Sequence, residues 1–219
     1  MASECGVSFN ICRMRITELD TVGNVKNVTP NSYVTDGVQS IAITVNKETG
    51  NNFSVRNGCG CSISKVKLPD TFNWFEFTFT DSQDEPQLEA MLLGQPTISA
   101  GGIVVGINAD FSLDCDEQNP AVALEFWTQN YSGSAISGTY PYFHWVFPWV
   151  EWTLGDSTFQ EGPAPRVYTG QSKGNQLWGS GPYGDGPPDG SDVGDFARWL
   201  TAESLPAAGC SGVHVAPGS

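Results

Sequence analysis

Alternation of apolar and polar positions with period two dominates the chain and is strongest between Ala121 and Asp156. Ala121 to Thr128 sets Val122, Leu124 and Phe126 on one face and Glu125 on the other. Between Tyr140 and Trp152, seven of thirteen residues are Phe, Tyr or Trp, types that favour strands and bury large areas. Period two there places Phe143, Trp145, Phe147 and Trp149 together, and Tyr142, His144, Val146 and Val150 opposite them. Neither face is polar, so this strand is expected to lie between two layers or against another subunit. Pro148 has no N–H to give a ladder, so it marks an edge or a bulge, and a bulge would re-aim Trp149 and Glu151. The two runs, joined by YSGSAISGTYP, read as a hairpin with a longer loop.

Weaker versions of the pattern recur along the chain. Cys12 to Leu19 alternates Met14 and Ile16 against Arg13 and Arg15, a first strand. Residues 20–37 are polar without a sustained period, which predicts a long surface or interface loop. Val38 to Val45 gathers Ile41, Ile43 and Val45 on one face; a turn at 47–52 leads to Phe53 to Arg56, which predicts a hairpin, and Arg56 to Cys61 turns again. Thr71 to Thr80 directs Phe75, Phe77 and Phe79 one way and Trp74, Glu76 and Thr78 the other. At Pro86 the period changes. Pro86 to Leu93 groups Leu88, Met91 and Leu92 on one helical face, with Asp84 or Glu85 at the N-cap, Pro86 at the first position, and Gly94 and Pro96 as the stop. Ile103 to Asp116 resumes alternation, Val167 and Tyr168 suggest a short strand, and Gly212 to Ala216 a last one. Residues 171–192 form a Gly/Pro-rich loop whose Trp178 and Tyr183 are expected to pin it to something. The fold class that follows is mainly β, one β-sandwich or barrel-like domain over 1–219 with a single short helix at 86–93.

Charge narrows the choice of partner. The net charge is −14, and it is uneven: residues 1–67 carry seven Lys/Arg against five Asp/Glu, whereas the remainder carries three against nineteen. So acidic a body does not grip nucleic acid, which calls for basic grooves. The contrast between the two parts suits head-to-tail assembly or simply solubility. No apolar run approaches the ~20 residues of a membrane span, and MASECGVSFNICRMR lacks the layout of a signal peptide. A soluble chain made in a cytosol is the expectation, and its six cysteines are then expected to be free, mostly buried thiols. Cys59-Gly-Cys61 is tighter than zinc-ribbon spacing, so no metal or cofactor is assigned.

Catalytic patterns are scarce. Phosphate loops, dinucleotide fingerprints, zinc-protease helices and nucleophile elbows are all missing. His144 sits among aromatics and reads as a wall or core histidine rather than a base. Glu125 and Glu151, each on an aromatic strand, are the best enzymatic pair, because two carboxylates facing one cleft are what a jelly-roll glycoside hydrolase uses. A carbohydrate-binding sandwich with Trp and Tyr platforms is the other alternative.

The segments RMRITELD, VTDGVQSIAIT, LEAMLLGQP, VVGINADF, ALEFWT, YPYFHWVFPWVEWTLGD, LWGSGPY and PAAGCSGVHV follow one another in that order. Their succession resembles the major tail proteins, or tail tube proteins, of long-tailed phages that infect actinobacteria. The resemblance implies a structural, non-enzymatic virion protein: a β-sandwich or barrel-like subunit with one helix, forming homo-hexameric rings that stack into a hollow tail tube. Such a tube encloses the tape measure protein during assembly in the host cytoplasm. It meets other tail proteins at its ends and conducts DNA during ejection without binding it specifically or needing a membrane. On this reading the doubly apolar strands supply contacts between subunits through Trp127, Phe143, Trp145, Phe147 and Trp149. Asp110, Asp114 and Asp116 share one side of a strand whose other side is apolar, and an acidic row of that kind is expected to face the lumen, where it repels phosphates.

Overall fold

The computed structural model of the chain describes residues 6–28, 31–108, 120–156, 164–207 and 213–214. In chain order these form β1 (Val7–Glu18), β2 (Ser32–Thr35), β3 (Val38–Glu48), β4 (Asn52–Arg56), β5 (Ser62–Lys67), β6 (Thr71–Asp81) and the helix α1 (Pro86–Leu93). There follow β7 (Thr97–Ala100), β8 (Ile103–Ile107), β9 (Ala121–Ser132), β10 (Ala135–Ile136), β11 (Tyr142–Leu154), β12 (Arg166–Ser172), β13 (Ala197–Thr201) and β14 (Val213–His214). Ten strands make one antiparallel sheet in the spatial order β14-β2-β1-β9-β11-β12-β6-β3, with β10 added to β9 and β13 to β11. The hairpins β4–β5 and β7–β8 stand outside it. Among the described residues the fold is therefore mainly β with one short helix, as the alternation predicts.

The sheet curls until β1 comes close to β3, and its inner face encloses one apolar core. Met14 and Ile16 of β1, Phe77 and Phe79 of β6, Leu124 and Phe126 of β9, and Phe147 and Trp152 of β11 all meet there. The helix supplies Leu88, Met91 and Leu92 to the same core. Its limits follow from local chemistry. Pro86 at the start has no N–H to leave unpaired, and Gly94 ends the helix in the left-handed region at φ 64°, returning its N–H to the Ala90 carbonyl.

The central strand β11 is broken by its proline. Phe147 lies opposite Leu124 and Val150 opposite Val122, so β11 carries one extra residue at Pro148–Trp149, a bulge. The bulge inverts the alternation. Phe147, Val150 and Trp152 all enter the core, while Trp149 joins Val146 on the opposite face. This corrects the uninterrupted period, which sets Trp149 with Phe147 and Val150 with Val146. It also changes the strand's neighbour: Tyr142–Val146 pairs with β13, and Val150–Leu154 pairs with β12.

Two other expectations change. β3 does not form a hairpin with β4; it pairs with β6, matching Ile41 to Phe79, Ile43 to Phe77 and Val45 to Phe75, while β4 pairs with β5. The long aromatic strand gives β3 more apolar cross-strand contact than a five-residue strand can. Within the expected loop 20–37, Ser32–Thr35 is a fully buried strand against β1. It is too short for a period to register. Of the strand expected from Ile103 to Asp116, Ile103–Ile107 is a strand paired with β7, and residues 109–116 lie outside the described residues. Asp110, Asp114 and Asp116 lie outside the described residues.

Gly170 of β12 faces the core beneath Trp152, its cross-strand neighbour. A Cβ built there would stand 2.8 Å from Trp152 Cε3 and 3.0 Å from Val150 Cγ1. Both belong to fully buried side chains with no room to retreat. Gly170→Ala is expected to destabilise the fold by roughly 1–3 kcal/mol through overpacking, read as a lower denaturant midpoint at unchanged slope.

Candidate functional site

The outer face of β9 and β11 is where the sequence concentrates its chemistry, and the chain covers that face itself. Ala121 and Ala123 of β9 and Val146 of β11 pack with Leu19, Trp178 and Val193, and Trp149, Tyr183 and Trp199 lie against them. Trp178 and Tyr183 thus pin the Gly/Pro-rich segment onto the central strands, as their presence in such a loop predicts. That segment begins after Ser172, because Gln171 and Ser172 complete β12. β13, absent from the sequence reading, brings Trp199 to the same layer. The apolar character of β11 on both faces is therefore satisfied within one chain.

Under this cover lies a buried charged cluster. Arg15 of β1 donates from Nε to Glu125 Oε2 at 2.6 Å and from one terminal nitrogen to Glu125 Oε1 at 2.8 Å. The same nitrogen reaches Asp185 Oδ2 at 2.7 Å. The guanidinium is held between rings, its carbon 3.5 Å from the Tyr183 centroid and 5.1 Å from that of Trp127. The Tyr183 hydroxyl meets Thr17 Oγ1 at 2.7 Å. His144 is fully buried, stacked on Trp127 at 4.3 Å and edge-on to Trp199 at 4.4 Å. Its Nε2 approaches Glu125 Oε1 to 3.3 Å, close enough for attraction but not aligned as a hydrogen bond. These contacts make His144 a packed wall residue.

Electrostatics fixes what the cluster can do. Burial on its own would raise the Glu125 carboxyl, but the Arg15 charge and the hydrogen bonds it accepts outweigh burial and pull it down to about 2. Burial would likewise lower Arg15, and Glu125 beside it more than reverses that. Glu125 is a carboxylate except in strong acid, and Arg15 ties β1 to β9 through it and to the overlying loop through Asp185. Glu125 does not suit a proton donor. Glu151 lies elsewhere on the same face: it pairs with Ala121 while Glu125 pairs with Val146. Four residues of strand separate the two, about 13 Å, against the ~5–9.5 Å between carboxyl groups in glycosidases. The structure does not bring this pair together.

The residues expected at subunit contacts divide. Trp127 and Phe147 are fully buried inside the chain, whereas Phe143, Trp145 and Trp149 keep part of their surface. Arg198 of β13 lies over Phe143 and Trp145, at 5.4 and 4.7 Å from their centroids. Among the described cysteines Cys12, Cys59 and Cys61 are free thiols; Cys12 is half-buried, but Cys59 and Cys61 are exposed at the β4–β5 turn rather than buried. Cys5, Cys115 and Cys210 lie outside the described residues. Arg15 and Asp185 were not singled out by sequence. The signal for Arg15 was its place on the side of β1 away from Met14 and Ile16. Asp185 carried none.

No family model matches the chain, and no curated protein sequence matches it.

Glu125→Gln keeps the shape of the side chain but leaves Arg15 buried without its main counter-charge, and is expected to cost about 3–5 kcal/mol. The parent also carries an acid-sensitive component. Glu125 titrates near 4.5 when unfolded and near 2 when folded, so its contribution is complete above pH 4.5 and is lost as pH falls toward 2. Denaturant titrations across that window should show a shallower acid slope in Glu125→Gln than in the parent.

Proposed function

We propose that this chain is a tail tube subunit, a structural virion protein that completes itself only against further copies. The observation that carries the reading is the β4–β5 hairpin. Every residue of both strands is exposed, and an isolated two-stranded hairpin is marginal in water. Its cross-strand register gives it two unlike faces. Phe53 opposite Val66, with Val55 beside them, forms an apolar face, while Asn52 opposite Lys67 and Ser54 opposite Lys65 form a polar one. The arm contains Arg56, Lys65 and Lys67 and no acidic residue between Gly50 and Pro69. Lys67 already pairs with Asp70 at the base of the arm, and the acidic body of a neighbouring copy offers counter-charges to Arg56 and Lys65 and a cover for the apolar face.

The second arm, β7–β8, exposes Ile98, Ile103 and Val105 in the same way. Homo-hexameric rings stacked into a tube, a tape measure protein in the lumen, further tail proteins at the ends and DNA in transit come from the family resemblance, and the arms are the parts of this chain that suit such stacking. The scarcity of Lys and Arg after Lys67 fits a conduit that must not hold phosphate. Among the described residues no helix is long and apolar enough to cross a membrane.

Negative-stain microscopy of the purified protein is expected to show rings and tubes of uniform width. Phe53→Asp and Val66→Asp each remove apolar area worth roughly 1.5–3 kcal/mol per contact once buried, and both are expected to abolish tubes. Because these side chains are exposed in the single chain, its melting temperature should stay within a few degrees of the parent's. A parent that remains a monomer overturns the function; variants that polymerise like the parent move the contact away from this arm.

A further inference from the structure

The sequence motif Trp-x-Glu occurs on two strands, as Trp74-Phe75-Glu76 on β6 and Trp149-Val150-Glu151 on β11. Both flank β12. In each, the indole Nε1 donates to Oε1 of the glutamate two residues on, at 3.2 Å for Trp74–Glu76 and 3.1 Å for Trp149–Glu151. A second donor fixes each carboxylate through the same oxygen: Asn46 Nδ2 reaches Glu76 Oε1 at 2.9 Å, and Lys173 Nζ reaches Glu151 Oε1 at 2.6 Å. No hydrogen bond among the described residues uses either Oε2. Two carboxylates are thus oriented by the fold with one oxygen apiece left to accept.

Register sets them facing one another. Glu151 and Glu76 both lie opposite Gln171, one on each side of β12, about 10 Å apart at two strand spacings. The next row on the same face is Thr153, Thr169 and Thr78, with Thr153 and Thr169 joined at 2.9 Å. These side chains, with Thr44 of β3, line a half-open cavity of about 450 Å³ on the solvent-exposed outer face of the sheet.

We infer that this cavity is a binding site for a neutral oligosaccharide. Its rim offers acceptors at both ends, an amide in the middle and hydroxyls that both donate and accept. A polyhydroxylated ligand satisfies such a mixture, because each sugar hydroxyl can donate to a carboxylate oxygen and accept from a threonine or Gln171. The charge balance disfavours an acidic ligand and leaves little to hold a polybasic one: Lys173 already neutralises Glu151, and Glu76 is the one unbalanced charge among the lining residues. The site is separate from the buried Arg15–Glu125 cluster and does not depend on the tube reading.

Cellohexaose, xylohexaose, chitohexaose and maltohexaose, titrated into the purified protein and followed by tryptophan fluorescence and calorimetry, test it. At least one is expected to bind and to change the emission of the parent. Glu76→Gln and Glu151→Gln keep the side-chain shape and are each expected to weaken that binding about tenfold or more. Thr78→Val, which leaves both carboxylates in place, is expected to weaken it roughly two- to tenfold, and Glu48→Gln, elsewhere on β3, to leave it unchanged. The inference is overturned if none of the four binds below about 10 mM. It is equally overturned if the Glu76→Gln, Glu151→Gln double variant binds like the parent, or if hexalysine rather than a sugar displaces the fluorescence in a Glu76-dependent way.

Discussion

A peptide nitrogen without a hydrogen sits at the middle of the longest strand, and much of the architecture is arranged around it. Pro148 cannot donate to the ladder, so β11 bulges there, and the bulge allows one strand to serve two neighbours and two faces. Ahead of it the strand carries β13 and sends His144 and Val146 outward; behind it the strand carries β12 and sends Val150 and Trp152 into the core. The carbonyls freed at the bulge are taken up. Asn175 Nδ2 donates to the Pro148 carbonyl at 3.2 Å and also to that of Gly23 at 2.8 Å, and the Lys173 amide reaches the Trp149 carbonyl at 3.0 Å. Three segments distant in sequence are thereby fastened at one point, and Trp149 and Glu151 are aimed at the outer face.

The second constraint is charge in an apolar place. Covering the outer face of β9 brings Glu125 out of water, which is costly unless a counter-charge comes with it. Arg15 supplies that, and Asp185 and Tyr183 then close over the guanidinium. The Gly/Pro-rich loop is held by this cluster as much as by Trp178. Its glycines at Gly179, Gly181, Gly184 and Gly190 adopt positive φ, so the chain can fold tightly down on the strands without regular structure of its own.

What was legible in the sequence was local. The helix announced itself through Pro86 and Gly94, both acting within a few residues, and the aromatic hairpin through its own alternation and connecting loop. The pinning role of Trp178 and Tyr183 followed from large apolar side chains in a loop. What depended on pairing between distant segments was hidden. β3 chose β6 over the nearer β4, and β2 and β13 are too short to show a period. Arg15 and Glu125 look like ordinary strand charges until β1 and β9 are set in register. Pro148 was readable only as a choice between edge and bulge, and that choice decides where Trp149, Glu151 and Val150 point. The pairing of Glu151 with Glu76, rather than with Glu125, rests on the same register.

The neighbour relation between β1 and β9 also sets an order of events when the chain is made. Arg15 and Glu125 are 110 residues apart in sequence, so β1 has no second edge to join until that length of chain has followed it from the ribosome. At ~5–20 residues per second this wait lasts several seconds or more. During it Met14 and Ile16 lack the aromatic residues that later bury them. The chain has a high share of long-range contacts, the kind that slows folding. Arg13 and Arg15, alternating with those apolar residues on the waiting strand, place charges where an unpaired edge would otherwise recruit another nascent chain.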